Sequence, residues 1–441
     1  MARIYPFRAW RYNPSAVRLN DVVTQPYDKI TPAMQQGYYQ RSPYNLVRII
    51  LGLPELFDAE RGESVYTRAA RDFRAWREEG VLVQEKEPCV LAYSQHFTVP
   101  GTNTVKERRG FIALGRLHEY AEQVVFPHEQ TLDRAKSERL KLLQATRAHF
   151  GQIFMLYSDP AGTVETILFD DPGTAEFEVT DEYGVVHRVW RVSDPATIRL
   201  LTAAMADKKL IIADGHHRYE TALDYMHEHA GAQARQETST TQLPHPPYAE
   251  AAAMMTFVNM DADGLVILPA HRVVHSLDGF HLKTFLHSAD EFFAVEPLAA
   301  QDADGLLGAL RHENGPAFVA VTRGGDFLLR SKPEAATVLQ NVPERLRQLD
   351  PTHLHKLVLE RVLGLDAGKM SESAHVRPVR EAAEVVDQVR SGRDGAQIGL
   401  LTNPVTMEQL REIAFAGEVM PHKSTDFFPK LLSGLAIYAL D

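Results

Sequence analysis

With 441 residues the chain is too long for one compact core and should divide into two or three lobes. Its 47 basic and 58 acidic residues leave a formal net charge of −11, which argues against a global nucleic-acid footprint, and 44% hydrophobic with 24% charged residues is ordinary for a globular protein. The single cysteine, Cys89, forbids an internal disulfide and fits a reducing compartment.

Residues 1–60 are rich in turns and aromatics, with no apolar h-region at the start, so a cytoplasmic protein without a signal peptide is expected. Gln25 to Pro32 reads as an ordered loop, and Ser42 to Leu51 ends in a run that predicts a buried strand. Tyr27, Asp28, Asn45 and Arg48 either line a pocket or serve as turn caps and surface charge. Tyr66, Ala69, Ala70, Phe73 and Trp76 predict a packed helix stopping at Gly80. Cys89 to Val99 and Thr104 to Leu117 form a hairpin around Pro100-Gly-Thr-Asn103; Cys89 reads as a buried strand residue, and Arg108 and Arg109 as solvated charges on the returning strand.

Val124 to Leu132 leads into a helix of roughly Asp133 to His149, with Leu140, Leu143 and Phe150 on its buried side and Arg134, Lys136, Glu138, Arg139 and Lys141 on the other. Glu129, just before that helix, either favours its positive end or, facing a reacting group, serves as a general base. Strands are predicted at 152–157, 176–180 and 185–192, and a helix at 194–206.

Lys209 to Leu223 is the stretch richest in chemistry. Leu210 to Ala213 is a continuous apolar run, as in a strand covered on both faces; Asp214-Gly215 breaks it, and Tyr219, Ala222, Leu223 and Met226 restart with helical spacing. Gly215, His216, His217 and Arg218 therefore sit where unpartnered N–H groups, a positive helix end and a planar guanidinium suit a phosphate. The plain alternative is that Asp214 caps the helix and the histidines satisfy a turn. Neighbouring histidines on one helix do not face the same way, and no HExxH or Cys/His ligand set is present.

Residues 231–247 read as a polar insertion, either a lid or a surface excursion. A strand follows at 251–260, and Gly264 to Val274 places His271 and Arg272 just after an apolar strand and a proline. Gly-Gly-Asp at 324–326 signals a hairpin; 353–363, 379–389 and 407–416 read as helices and 397–402 as a strand. Two prolines bracket Lys423, Ser424 and Thr425, a cation and two hydroxyls on a constrained loop that can bind an anion. These three, with Tyr27 and Arg48, are expected to converge on Arg218. The run Leu431 to Leu440 is too short to span a bilayer.

Taken together, Gln-Pro-Tyr-Asp near 25, Ser-Pro-Tyr-Asn-Leu-Val-Arg at 42–48, Pro-His-Glu-Gln-Thr at 127–131, Ala-Asp-Gly-His-His-Arg-Tyr-Glu-Thr-Ala at 213–222, Leu-Pro-Ala-His-Arg at 268–272 and Met-Pro-His-Lys-Ser-Thr at 420–425 resemble the family called domain of unknown function 1015, over nearly the whole chain. Asp214-Gly-His-His-Arg218 is also similar to the phosphate turn of the ParB/sulfiredoxin superfamily, especially its free serine kinases. The sulfiredoxin cysteine is absent from this turn.

That resemblance implies an α+β fold of several lobes, with an N-terminal α/β lobe at 1–98, a central ParB/sulfiredoxin-like mixed-sheet lobe at 99–262 carrying the strand–turn–helix, and a C-terminal α/β lobe at 263–441. It implies a nucleotide-dependent phosphotransferase acting on the hydroxyl of a small molecule such as free L-serine, with a ParB-like nucleotide-binding regulator as the alternative. Glu129 and Asp214 would be catalytic, with Asp214 also a ligand of Mg²⁺. Gly215, His216, His217 and Arg218 would hold ATP or ADP, and His128, Thr221, Lys423, Ser424 and Thr425 the substrate. The expected partners are nucleotide and a small hydroxyl compound, with no nucleic acid and no membrane, and a homodimer is allowed for.

Overall fold

The computed structural model describes residues 1–55, 58, 60, 62–131, 133–229, 243–299, 302–365 and 375–441, with backbone only at 133–135. Contacts divide the chain into two compact units: the first contains residues 1–127, 132–266 and 429–441, the second 128–131 and 267–428. The lobe border drawn at 98/99 falls in the turn between strands Val90–Thr98 and Val105–Arg116, which pair in register within the first unit. The one at 262/263 lies just before the change of unit.

The first unit is organised by a mixed sheet in the order Val125–Phe126, Leu210–Asp214, Ile153–Tyr157, Ala252–Asn259, Val105–Arg116, Val90–Thr98, Val186–Val192, Phe177–Thr180, with Ile4–Tyr5 also paired to Val105–Arg116. Leu210–Asp214 runs parallel to Val125–Phe126 and antiparallel to Ile153–Tyr157. Leu210, Ile211, Ile212 and Ala213 are all buried, as an uninterrupted apolar run requires; each large side chain so placed contributes roughly 1.5–3 kcal/mol of burial. Helix His216–His229 lays Tyr219, Ala222 and Leu223 into the same core, while helix Asp133–Thr146 packs beside it. The α+β class with a mixed sheet and a strand–turn–helix at residues 210–229 is thus observed.

The second unit holds a six-stranded antiparallel sheet in the order Phe293–Leu298, Gly325–Ser331, Ala317–Thr322, Ala396–Leu401, His271–His275, Val376–Val379. Period-two alternation sends Phe318 and Ala320 into one apolar cluster and Val319 and Val321 into another, so the sheet is covered on both faces. The hairpin signalled by Gly324-Gly325 is present, Thr322 pairing with Gly325.

Several local expectations are corrected. Residues 47–50 form a helical turn, Val47–Ile50, because Asn45 Oδ1 accepts the Val47 N–H and starts a turn that burial of Val47, Ile49 and Ile50 then stabilises. The helix expected to reach His149 ends at Thr146, where Arg147 takes φ 49° and Ala148–His149 pairs with Tyr438–Ala439. His271 and Arg272 do follow an apolar strand, Val266–Leu268, and Pro269, but they themselves open a further strand, His271–His275, and both are buried. Residues 231–242 of the predicted insertion lie outside the described residues.

Candidate functional site

The first unit carries the strand–glycine–helix turn. Gly215 has φ 91°, a conformation that disfavours any side chain, and a Cβ there would lie 2.9 Å from Cζ of Arg218. Glycine therefore lets the guanidinium fold back over the turn. Arg218 Nη2 donates to Asp214 Oδ2 at 2.7 Å and Nη1 to the carbonyl of Gln152, while Gly151 leaves room for the same guanidinium, 3.3 Å from where its Cβ would stand. Asp214 thus acts as an i,i+4 counter-ion to Arg218. His216 is buried and His217 half-buried at the first helical turn.

Other cations converge on the same carboxylate. Lys430, 7% exposed, places Nζ 3.5 Å from Asp214 Oδ1. Arg108 is 2% exposed; its Nε donates to Gln95 Oε1 at 3.0 Å, and Nη2 donates to Gln95 Oε1 and to the Pro429 carbonyl. Gln95 Nε2 in turn donates to the Lys430 carbonyl at 2.8 Å, so one glutamine ties the arginine to the lysine segment. Burial pulls Arg108 down to about 10, against the upward pull of Tyr93 and Asp214, and leaves it charged at neutral pH. Two buried cations and half-buried Arg218 around one carboxylate make a positive field that an anion would neutralise.

A cavity of about 70 Å³ opens beside this cluster, lined by Tyr27, Arg139, Gly151, Arg218, Thr221 and Ser433 among others. The Arg139 guanidinium stacks on Tyr27 at 4.1 Å and donates to the Ile50 carbonyl at 2.7 Å. Tyr27 and Thr221 therefore line this cavity. Arg48 does not line it: it donates to the carbonyls of Tyr39 and Ser42, and Asn45 is likewise engaged with backbone, at Asp21 O and Val47 N.

The second unit gathers the Pro127-His-Glu and Lys423-Ser-Thr motifs. Glu129 Oε1 accepts the Lys423 N–H at 2.8 Å and Oε2 accepts the Ser424 N–H at 3.2 Å. Lys423 has φ 59°, which turns two consecutive amides toward one point. His128 Nε2 and Thr425 Oγ1 are 2.8 Å apart, Ser424 Oγ donates to the Pro421 carbonyl at 2.5 Å, and Met420 N donates to the His128 carbonyl at 2.8 Å. Buried Arg272 donates to the Lys423 carbonyl at 2.7 Å, and also to the carbonyls of Ala270 and His271. The loop is thus an anion nest, and the anion it holds is the carboxylate of Glu129.

Two of the strongest residues escaped the motif reading. Arg108 was expected in solvent, yet it shares a strand face with Gly110, Ile112 and Leu114, and that register was the available signal. Lys430 stands alone in the apolar run Phe427-Phe-Pro-Lys-Leu-Leu432, where a single cation can be kept only in a built environment. Arg139, placed on the solvent side of its helix, instead faces Tyr27.

Mg²⁺ at Asp214 does not suit the donor set: Arg218 holds one carboxylate oxygen and Lys430 lies by the other, and no group of three or more His, Cys, Asp or Glu that could hold a metal ion occurs among the described residues. Among those residues no helix is long and apolar enough to cross a membrane.

Comparison with solved structures gives distant likenesses. A free serine kinase variant in complex with AMP matches at 13% identity and TM-score 0.36, covering 69% of this chain and 84% of that one. A conserved hypothetical protein from Pyrococcus furiosus matches at 14% identity and TM-score 0.35, covering 70% and 89%. SbnI from Staphylococcus aureus, with a C-terminal truncation, matches at 10% identity and TM-score 0.33, covering 73% and 85%. A search of curated proteins found no match. A family model described as "Protein of unknown function (DUF1015)" matches residues 4–352, most of the length, and the chain belongs to that family.

Proposed function

We propose that this protein is a nucleotide-dependent phosphotransferase acting on a hydroxyl of a small molecule, with free L-serine the first acceptor to test. The observation that carries the reading is the set of cations, buried Arg108 and Lys430 with half-buried Arg218, gathered on the single carboxylate of Asp214 at a strand–glycine–helix turn. Phosphoryl transfer asks mainly for positioning and charge neutralisation, and this cluster supplies both. Gly215, His216, His217 and Arg218 would meet the phosphates, Thr221 would face the bound molecule from the cavity wall, and Asp214 would keep the cations in place between turnovers. A magnesium ion arriving with the nucleotide would be held chiefly by phosphate oxygens and water.

In the reaction proposed, the acceptor oxygen attacks the terminal phosphorus of ATP or ADP, the bond from that phosphorus to the bridging oxygen breaks, and ADP or AMP leaves. A general base would take the hydroxyl proton as the new bond forms; the resemblance assigns that role to Glu129, whose two amide bonds leave lone pairs for a proton, and it is the residue to test for it. Within the second unit, His128, Lys423, Ser424 and Thr425 would hold Glu129 in place.

Calorimetric titration with ATP, ADP and AMP, followed by detection of phosphorylated serine, tests this. Glu129→Gln should bind nucleotide nearly as wild type does while turnover falls about 100-fold. Turnover at the wild-type rate would remove Glu129 from the chemistry. A wild type that binds nucleotide and phosphorylates no small alcohol would favour the regulator reading.

A further inference from the structure

The nest of the second unit is built more firmly than its resident carboxylate needs. Its backbone is fixed by contacts that do not involve the Glu129 side chain: Arg272 on the Lys423 carbonyl, Ser424 Oγ on the Pro421 carbonyl, His128 against Thr425, and the backbone bonds Met420 N to His128 O and Gln130 N to Met420 O. Cationic groups also stand close to it: Arg272 donates to the Lys423 carbonyl, and the His422 ring stands 3.5 Å from Glu129 Oε1. Nearby, His355 Nε2 is buried with no hydrogen-bond partner among the described residues, in an environment made unfavourable for its protonation by burial first and then by Arg272 and His422.

We infer that the Lys423–Ser424 nest is a binding site for a phosphoryl group, and that Glu129 fills it as a displaceable internal anion. Two adjacent N–H groups that engage two carboxylate oxygens can engage two phosphate oxygens equally well. A phosphoryl group entering the nest would replace both hydrogen bonds of Glu129 and release its side chain. The inference concerns the second unit alone and stands whether or not the protein transfers phosphate.

The test follows the backbone amide resonances of Lys423 and Ser424 while inorganic phosphate or O-phosphoserine is added, in an Arg218→Ala background so that the first unit's turn contributes nothing. In wild-type nest sequence both resonances should move together at high ligand concentration, because the ligand competes with Glu129. In Glu129→Ala they should move at roughly 10-fold lower concentration or less, since the competitor is gone. A response to phosphate and to phosphoserine alike assigns a general phosphate site; a response to phosphoserine alone assigns a phosphomonoester site. If neither amide moves with either ligand in either protein, the inference is wrong. Should Glu129→Ala fail to fold, the titration of the unaltered nest decides: movement of both amides supports the site, and unmoved amides at saturating phosphate overturn it.

Discussion

The two units recognise negative charge by opposite means. In the first, side-chain cations converge on Asp214: Arg218, Lys430 and, through Gln95, Arg108. In the second, two backbone amides converge on Glu129 while Arg272 fixes their peptide from behind. A cation cluster holds its anion by field strength and leaves positive charge in excess. An amide nest holds its anion by geometry, with little long-range field. The contrast suggests different tasks, with the first unit gripping a multiply charged ligand and the second positioning one carboxylate or phosphoryl group.

The hardest test of this contrast is Asp214→Asn. It removes the carboxylate that Arg218 and Lys430 share, so urea unfolding should show a loss of about 3 kcal/mol, and added phosphate should restore more stability to the variant than it adds to wild type. Glu129→Gln should cost less, about 1–2 kcal/mol, because one amide bond survives and no buried cation depended on ion pairing alone.

Acid should act on the second unit in a defined direction. The His271 ring accepts the Thr402 N–H at Nδ1, 3.1 Å away, and burial, with Arg272 adding to it, lowers its pKa from the usual 6.5 to about 4. Because the folded value lies below the unfolded one, His271 contributes stability above about pH 6.5, and that contribution is lost as pH falls toward 4. Roughly 3 kcal/mol or less is at stake, and His271→Gln should flatten that part of the stability–pH curve. The smallest effect expected is for Lys423→Gly, which relieves a positive φ of 59° and should change stability by at most about 1 kcal/mol while keeping both nest amides in place. A large loss there would mean that the lysine side chain, not the backbone, organises the nest.

The first unit's turn was legible in the sequence because three local signals agreed: a continuous apolar run, a glycine, and apolar residues returning with helical spacing from Tyr219. The partners of that turn were not legible in the same way. Arg108 and Lys430 come from segments 106 residues before and 216 residues after Asp214, and only tertiary pairing sets them against it. The anion-binding character of Lys423 to Thr425 was readable from prolines, a cation and hydroxyls, yet its occupant was not, since Glu129 is 294 residues from Lys423. Val47–Ile50 was misread as a strand because three apolar residues around Arg48 carry no period of their own; Asn45 decides it by starting the turn.

The central claim is that the cations around Asp214 form the phosphate site for a nucleotide, and calorimetric titration of ADP and ATP against wild type and Arg218→Ala tests it most directly. The account predicts saturable binding to wild type and a loss of about 10- to 100-fold in Arg218→Ala, the scale of one charge-assisted contact, with both proteins folded. Equal affinity in the two proteins, or no binding of either nucleotide to folded wild type, would contradict it.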